Sequence, residues 1–134
     1  MQGLLIADGD IDSRKRMAQL FIDAGYNVVV SNTADVALYG ILKKTVQVVL
    51  LSAVFDEFSA SELIPLLKRC NRNLCIILIS NNESIGLLRK ARREGIFYHA
   101  LKPLAQEDGD EIRQVVRCAF AQLPEPDGSL RNGP

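Results

Sequence analysis

VQVVLLSAVFDEFSASELIPLLKRC, residues 46–70, reads as a strand, a loop and a helix. Residues 46–51 become continuously apolar rather than alternating, and the run is too short for an ordinary helix. That predicts a strand covered on both faces of a sheet. Ser59 and Glu62, three positions apart ahead of an apolar run, make a helix start signal: hydroxyl and carboxylate each accept from an N–H the first turn would leave unpaired. Leu63, Leu66, Leu67 and Cys70 then recur at helical spacing and are expected to face inward. A doubly covered strand feeding a helix is the repeating unit of layered α/β folds.

The unit repeats on both sides of this stretch. Residues 4–7 predict a first strand. Asp12 or Ser13 can cap a helix with Met17, Leu20, Phe21 and Ala24 on one face, stopped by Gly25. Residues 28–30 predict a second strand, and Thr33 opens a helix facing inward with Ala34, Ala37, Leu38 and Ile41. Residues 75–79 predict a fourth strand, residues 83–94 a fourth helix ended by Gly95, and residues 97–101 a shorter, less apolar edge strand. Ile112, Val115, Val116, Ala119 and Leu123 mark a last helix. Five such alternations imply parallel pairing through right-handed crossovers. The expected architecture is α/β: a flavodoxin-like, doubly wound, five-stranded parallel sheet of order 2-1-3-4-5, in three αβα layers. Residues 1–123 form the domain, and residues 124–134, rich in Pro and Gly, read as a flexible tail or linker. Chemistry in such sheets sits beyond the carboxyl ends of the strands, which here carry Asp8, Ser52, Ser80 and Lys102.

The 134 residues suit one domain with its own core, and 48% hydrophobic with 24% charged content is ordinary for a globular chain. Sixteen basic and sixteen acidic side chains cancel, leaving no overall attraction to nucleic acid or anionic membrane. No apolar run approaches the ~18–20 residues of a membrane span, and the N-terminus lacks the basic start of a signal peptide. A cytoplasmic protein is expected. Cys70, Cys75 and Cys118 show no C-x-x-C spacing, and Cys70 and Cys75 read as buried structural thiols. With one His, a zinc site would need an unusual ligand set.

Several spaced motifs carry a family resemblance. They are Leu5-Ile6-Ala7-Asp8-Gly9-Asp10 with Arg14; Ser52 followed by Phe55, Asp56, Ala60, Glu62 and Leu63; Ile79-Ser80; Gly95; and Lys102-Pro103. In order and spacing, over residues 4–104, they resemble the receiver domains of bacterial response regulators. The resemblance implies two acids after the first strand which, with a phosphoacceptor Asp, hold Mg²⁺. By position Asp8 is the first acid, Gly9 replaces the second, and Ser52 replaces the acceptor. One of three carboxylates remains, so no cofactor is expected and Mg²⁺ binding is not; Asp10 and Asp56 stand as substitute ligands beside Asp8. Ser80 and His99 occupy the switch positions. Without a phosphoryl group nothing drives that switch, so Ser80 is expected to cap the following helix or loop and His99 to be a partly exposed strand residue. Lys102 keeps the family residue and needs an anion; the expected partner is Asp8, directly or through Ser52 or water. Pro103 stands where the family follows a cis peptide bond.

Ser52 as a nucleophile would need a general base within hydrogen-bond reach, and no Gly-x-Ser-x-Gly elbow surrounds it. It reads as a strand-end hydroxyl. Arg89, Lys90, Arg92 and Arg93 make the fourth helix basic, while Glu107, Asp108, Asp110 and Glu111 crowd the start of the last. Acids there suit a helix N-terminus, but in the resembling family these elements form the face for dimers and output partners. Three functions follow. The first is an atypical receiver of a two-component phosphorelay protein, a pseudo-receiver that acts by protein contact through its fourth and fifth helices. Its partner would be an output domain, another protein or a second copy, with no direct nucleic-acid or membrane binding and no catalysis. The second is a receiver phosphorylated at a nonstandard residue. The third is a flavodoxin-like enzyme or cofactor binder using Ser52; against it, acids rather than a glycine-rich phosphate loop follow the first strand.

Overall fold

Apolar residues run without interruption through the three central strands, and in the computed structural model each is covered on both faces. The structure describes residues 2–55, 58–80, 85–103 and 109–123. In chain order the elements are β1 Gly3–Ala7, α1 Ile11–Asp23, β2 Asn27–Ser31, α2 Ala34–Leu42, β3 Val48–Ser52, β4 Val54–Phe55, β5 Phe58–Ser59, α3 Ala60–Cys70, β6 Cys75–Ser80, α4 Ile85–Glu94, β7 Tyr98–Leu101 and α5 Asp110–Ala121. The main sheet has the order β2-β1-β3-β6-β7 with every pair parallel. This is the expected 2-1-3-4-5 arrangement. A small antiparallel ladder, Val54 with Ser59 and Phe55 with Phe58, is an addition the apolar pattern did not reveal. Its strands are too short to show a period.

Strand alternation divides the core in two. Leu5, Ala7, Val49, Leu51, Ile76 and Leu78 point to one face and pack with Ala37 and Ile41 of α2, Leu63, Ile64 and Leu67 of α3, and Ala91 of α4. Leu4, Ile6, Val48, Leu50, Ile77 and Ile79 point to the other, against Met17, Leu20 and Phe21 of α1 and Ile112, Val116 and Ala119 of α5. Because the side-chain period is two, the same parity decides where each strand-end polar residue points.

Several local expectations need correction. The N-cap of α1 is Asp10, not Asp12 or Ser13; its backbone is extended (φ −80°, ψ 116°) and its N–H is held by the Asp8 carboxylate. Ala24 is the exposed residue closing that helix, followed by Gly25 at φ +95°. In α3 the inward stripe is Leu63, Ile64 and Leu67, and Leu66 is 43% exposed. At 100° per residue Ile64 and Leu67 lie close to Ala60 on the helix, and Leu66 falls a full step outside that arc. Phe97 is exposed and precedes β7 instead of opening it. The stripe of α5 also includes Phe120, stacked on Tyr26 at 5.2 Å between ring centroids. The side chain of Ser59, residues 83 and 84 and the tail 124–134 lie outside what is described.

Gly3 opens β1 where no side chain fits: a Cβ there would lie 1.9 Å from the Thr45 carbonyl oxygen. That close approach seats the first strand, with the Gly3 N–H donating to Gln47 Oε1 at 2.8 Å.

Among the cysteines Cys75 is buried, Cys70 half-buried and Cys118 exposed. Burial pushes the Cys75 thiol up to about 11, only partly opposed by the Lys68 charge. A thiol raised above its unfolded value favours the protonated, folded form. Stability from this site is therefore full below about pH 9 and declines as pH rises toward 11. Denaturation midpoints measured across that window should fall for the native chain and fall less for Cys75→Ala.

Candidate functional site

Asp8 follows β1, Ser52 ends β3 and Lys102 follows β7, all on the parity that points toward α1 and α5. The β1–β3 register pairs Ala7 with Leu51, which sets Asp8 beside Ser52 at the carboxyl edge. All three are sheltered: Asp8 is 1% exposed, Ser52 7%, and the Lys102 side chain 11%. A buried carboxylate and a buried ammonium each demand compensation. They find it in each other. Lys102 Nζ lies 3.1 Å from Asp8 Oδ2 and donates a hydrogen bond to Oδ1 at 3.2 Å. Oδ2 is within ion-pair distance but off the direction of a hydrogen bond, and it accepts none from the described residues. The expected Asp8–Lys102 contact is thus present, and direct.

The loop after β1 wraps this pair. The Asp10 N–H donates to Asp8 Oδ1 at 3.0 Å, a side-chain turn of the kind Asp makes two residues ahead. So Asp10 enters the pocket through its backbone, while its carboxylate belongs to an exposed residue at the helix start. The Asp8 N–H donates to the Ser31 carbonyl, and the Asp8 carbonyl accepts from Arg14 Nη1 at 2.9 Å. Arg16 Nη1 donates to the Pro103 carbonyl at 3.4 Å, tying α1 to the chain after β7. Sequence reasoning noted Arg14 by position and gave Arg16 no part; spacing along α1 holds no sign of which carbonyl either will meet.

Ser80 and His99 separate from this group by parity. They share the opposite sheet face, where Ser80 Oγ and His99 Nε2 are in hydrogen-bond contact at 2.5 Å. His99 is half-buried and Ser80 is 2% exposed. The serine hydroxyl is thus held by the neighbouring strand, diagonally across the β6–β7 ladder. No peptide bond among the described residues is cis, Lys102–Pro103 included; trans is the form an X–Pro amide ordinarily prefers, so the cis bond implied by the resemblance is absent.

Mg²⁺ demands oxygen ligands in near-octahedral geometry, mostly carboxylates, phosphates and water. Among the described residues the Asp8 carboxylate is paired with Lys102, and no group of three or more His, Cys, Asp or Glu side chains that could hold a metal occurs among them. Gly9 contributes no side-chain donor, and a Cβ built there would meet nothing within 4 Å. Asp56 lies outside the described residues.

Arg89, Lys90, Arg92 and Arg93 are exposed around α4, with Ala91 buried between them. Glu111 is exposed in the first turn of α5, while Glu107 and Asp108 fall outside the described residues. Between the two helices runs β7, the sheet's edge strand, with Tyr98 43% and Leu101 58% exposed. No helix among the described residues is long and apolar enough to cross a membrane.

Comparison with known proteins adds a context. The family model described as response regulator receiver domain matches residues 4–116. No curated protein matches the sequence. Among solved structures, a CheY-like receiver domain protein from Methanospirillum hungatei aligns with TM-score 0.79 at 18% identity, covering 91% of this chain and 96% of that one. The beryllofluoride-activated NtrC4 receiver domain dimer aligns with TM-score 0.81 at 18% identity, covering 91% and 98%. NtrX from Brucella abortus aligns with TM-score 0.77 at 21% identity, covering 91% of this chain but 28% of that longer one. At such identities the likeness is one of fold.

Proposed function

The chain belongs to the response-regulator receiver family of two-component signalling, and from that premise we propose that it is a pseudo-receiver, signalling without phosphotransfer and without Mg²⁺. The observation that carries this reading is the occupied pocket. The ammonium that resembling domains direct at a phosphoryl group is here neutralised by Asp8, and Ser52 stands at the acceptor's place. At ~4 Å and an effective dielectric near 20 a pair of this kind attracts by about 4 kcal/mol, against a desolvation cost of similar order. Its stability requires no ligand. A phosphoryl group entering here would have to compete for Lys102.

Signal then passes by contact. The exposed basic side chains of α4, the exposed Tyr98 and Leu101 of β7, and Glu111 of α5 supply charge and apolar surface for a protein partner or an output domain. Zero formal net charge argues against direct nucleic-acid binding by this domain. We place the protein in the cytoplasm and assign it no catalytic step.

The test is treatment with Mg²⁺ and a small phosphodonor such as acetyl phosphate, and separately with beryllofluoride, followed by intact mass and amide spectra. Mass and resonances at Ser52, Ser80 and Lys102 should stay unchanged. A stable mass gain of one phosphoryl group would replace this reading with that of a receiver modified at a nonstandard residue. Spectral change with beryllofluoride would equally remove it.

A further inference from the structure

Helix α2 reads Ala-Asp-Val-Ala-Leu-Tyr-Gly-Ile-Leu, with Asp35 its single charged residue. A helix apolar on all sides is ordinarily buried on all sides. This one is not. Ala37 and Ile41 face the core, with Ala34 and Leu38 packed beside them. On the opposite side Val36 is 51% exposed, Tyr39 63% and Leu42 60%. These three form the i±3 row 36-39-42, while Asp35, Tyr39 and Lys43 form the i±4 row 35-39-43, and the rows cross at Tyr39. Lys43 closes the helix and holds its ammonium 5.4 Å from the Tyr39 ring centroid.

The chemistry along this face is symmetric about Tyr39. Three positions to either side stand apolar residues, Val36 and Leu42. Four positions to either side stand opposite charges, Asp35 and Lys43. In two helices crossing antiparallel on a twofold axis with one row of side chains laid along its mate in the other copy, a residue n places before the axis in that row meets the residue n places after it. With Tyr39 on the axis and the two 35-39-43 rows laid along one another, at the crossing of about 50° that i±4 rows favour, Asp35 would meet Lys43 of the second copy, twice over, with Val36 and Leu42 flanking the seam on either side. Parallel packing would instead set Asp35 against Asp35 and Lys43 against Lys43.

We propose that the outer face of α2 is a homodimerisation surface, two copies pairing antiparallel through Val36, Tyr39 and Leu42 between two Asp35–Lys43 ion pairs. It lies on a different helix from the partner surface assigned above and does not depend on that assignment. Nine residues at 1.5 Å each make a contact about 13 Å long on a helix ~10 Å across, a footprint on the order of 100 Å² on each copy against the ~800 Å² per partner of a stable interface. Association is therefore weak and depends on concentration.

Charge reversal tests the geometry. Sedimentation velocity of the full chain, from micromolar to near-millimolar concentration, should show the mean mass rising toward that of a dimer. Asp35→Lys alone and Lys43→Asp alone should each stay monomeric, since each places like charges opposite in its own dimer. Mixed in equal amounts, those two variants should associate again, because every pair across the axis is then opposite in sign. The double variant carrying both changes should also self-associate. A native chain that stays monomeric throughout would overturn the proposal. So would single variants that dimerise like the native chain, or a mixture that does not associate while circular dichroism shows both proteins folded.

Discussion

Lys102→Ala is expected to lower the unfolding free energy by about 3 kcal/mol, the usual cost of stranding one member of a buried ion pair. Asp8 is almost fully enclosed, and Lys102 is the cation within ion-pair distance of it. With Lys102 truncated, the Asp8 carboxylate keeps the Asp10 N–H on Oδ1 and loses its countercharge. The double variant Asp8→Asn with Lys102→Met removes both charges and retains an acceptor for that N–H. It should be much closer to the native chain, because deleting a whole buried pair is often nearly neutral. Urea unfolding of the three proteins decides the matter. A loss below about 1 kcal/mol for Lys102→Ala, or a double variant as unstable as the single one, would show that the pair is solvated and does not hold the pocket closed.

The second large effect is a gain. Combining Gly9→Asp with Ser52→Asp places two further carboxylates beside Asp8 and should create Mg²⁺ binding of the kind that the proposed function denies to the native chain. A Cβ at Gly9 meets nothing within 4 Å, so the first change encounters no steric barrier. Ser52 shares the sheet edge and the parity of Asp8. Without metal, three carboxylates against one ammonium should repel and lower the melting temperature. Millimolar Mg²⁺ should restore it, adding about 1.4 kcal/mol of stability for each tenfold by which the free ion exceeds its Kd. The native protein should not respond. Should thermal unfolding with and without Mg²⁺ show no difference in the variant, or the same rise in the native chain, the reading of these two positions would fail.

Much of this was readable in the chain. The continuous apolar run of residues 46–51 and its repeats predicted a parallel, doubly covered sheet, because strand and helix periods are local properties that neighbouring residues already express. By position the resemblance set Gly9 and Ser52 where the family carries carboxylates, and the proposed function rests on that placement. Finer placements were less so. Leu66 fits an apolar count on α3 yet faces outward, since several apolar residues compete for one arc and packing chooses among them. The β4–β5 ladder was missed because two-residue strands carry no period at all.

The order of the elements, the parity of each strand and the identity of the residues at the strands' carboxyl ends are local properties that the chain carries before it folds. Tertiary structure alone decided which of those residues meet. Asp8 and Lys102 stand 94 positions apart, and only the strand order and register bring their side chains within reach. The same register sends Ser80 and His99 to the other face, and packing leaves Val36, Tyr39 and Leu42 of α2 outside the core. Periodicity is written along the chain, but contact between distant strands and helices arises only when the sheet closes and each polar group must find its partner.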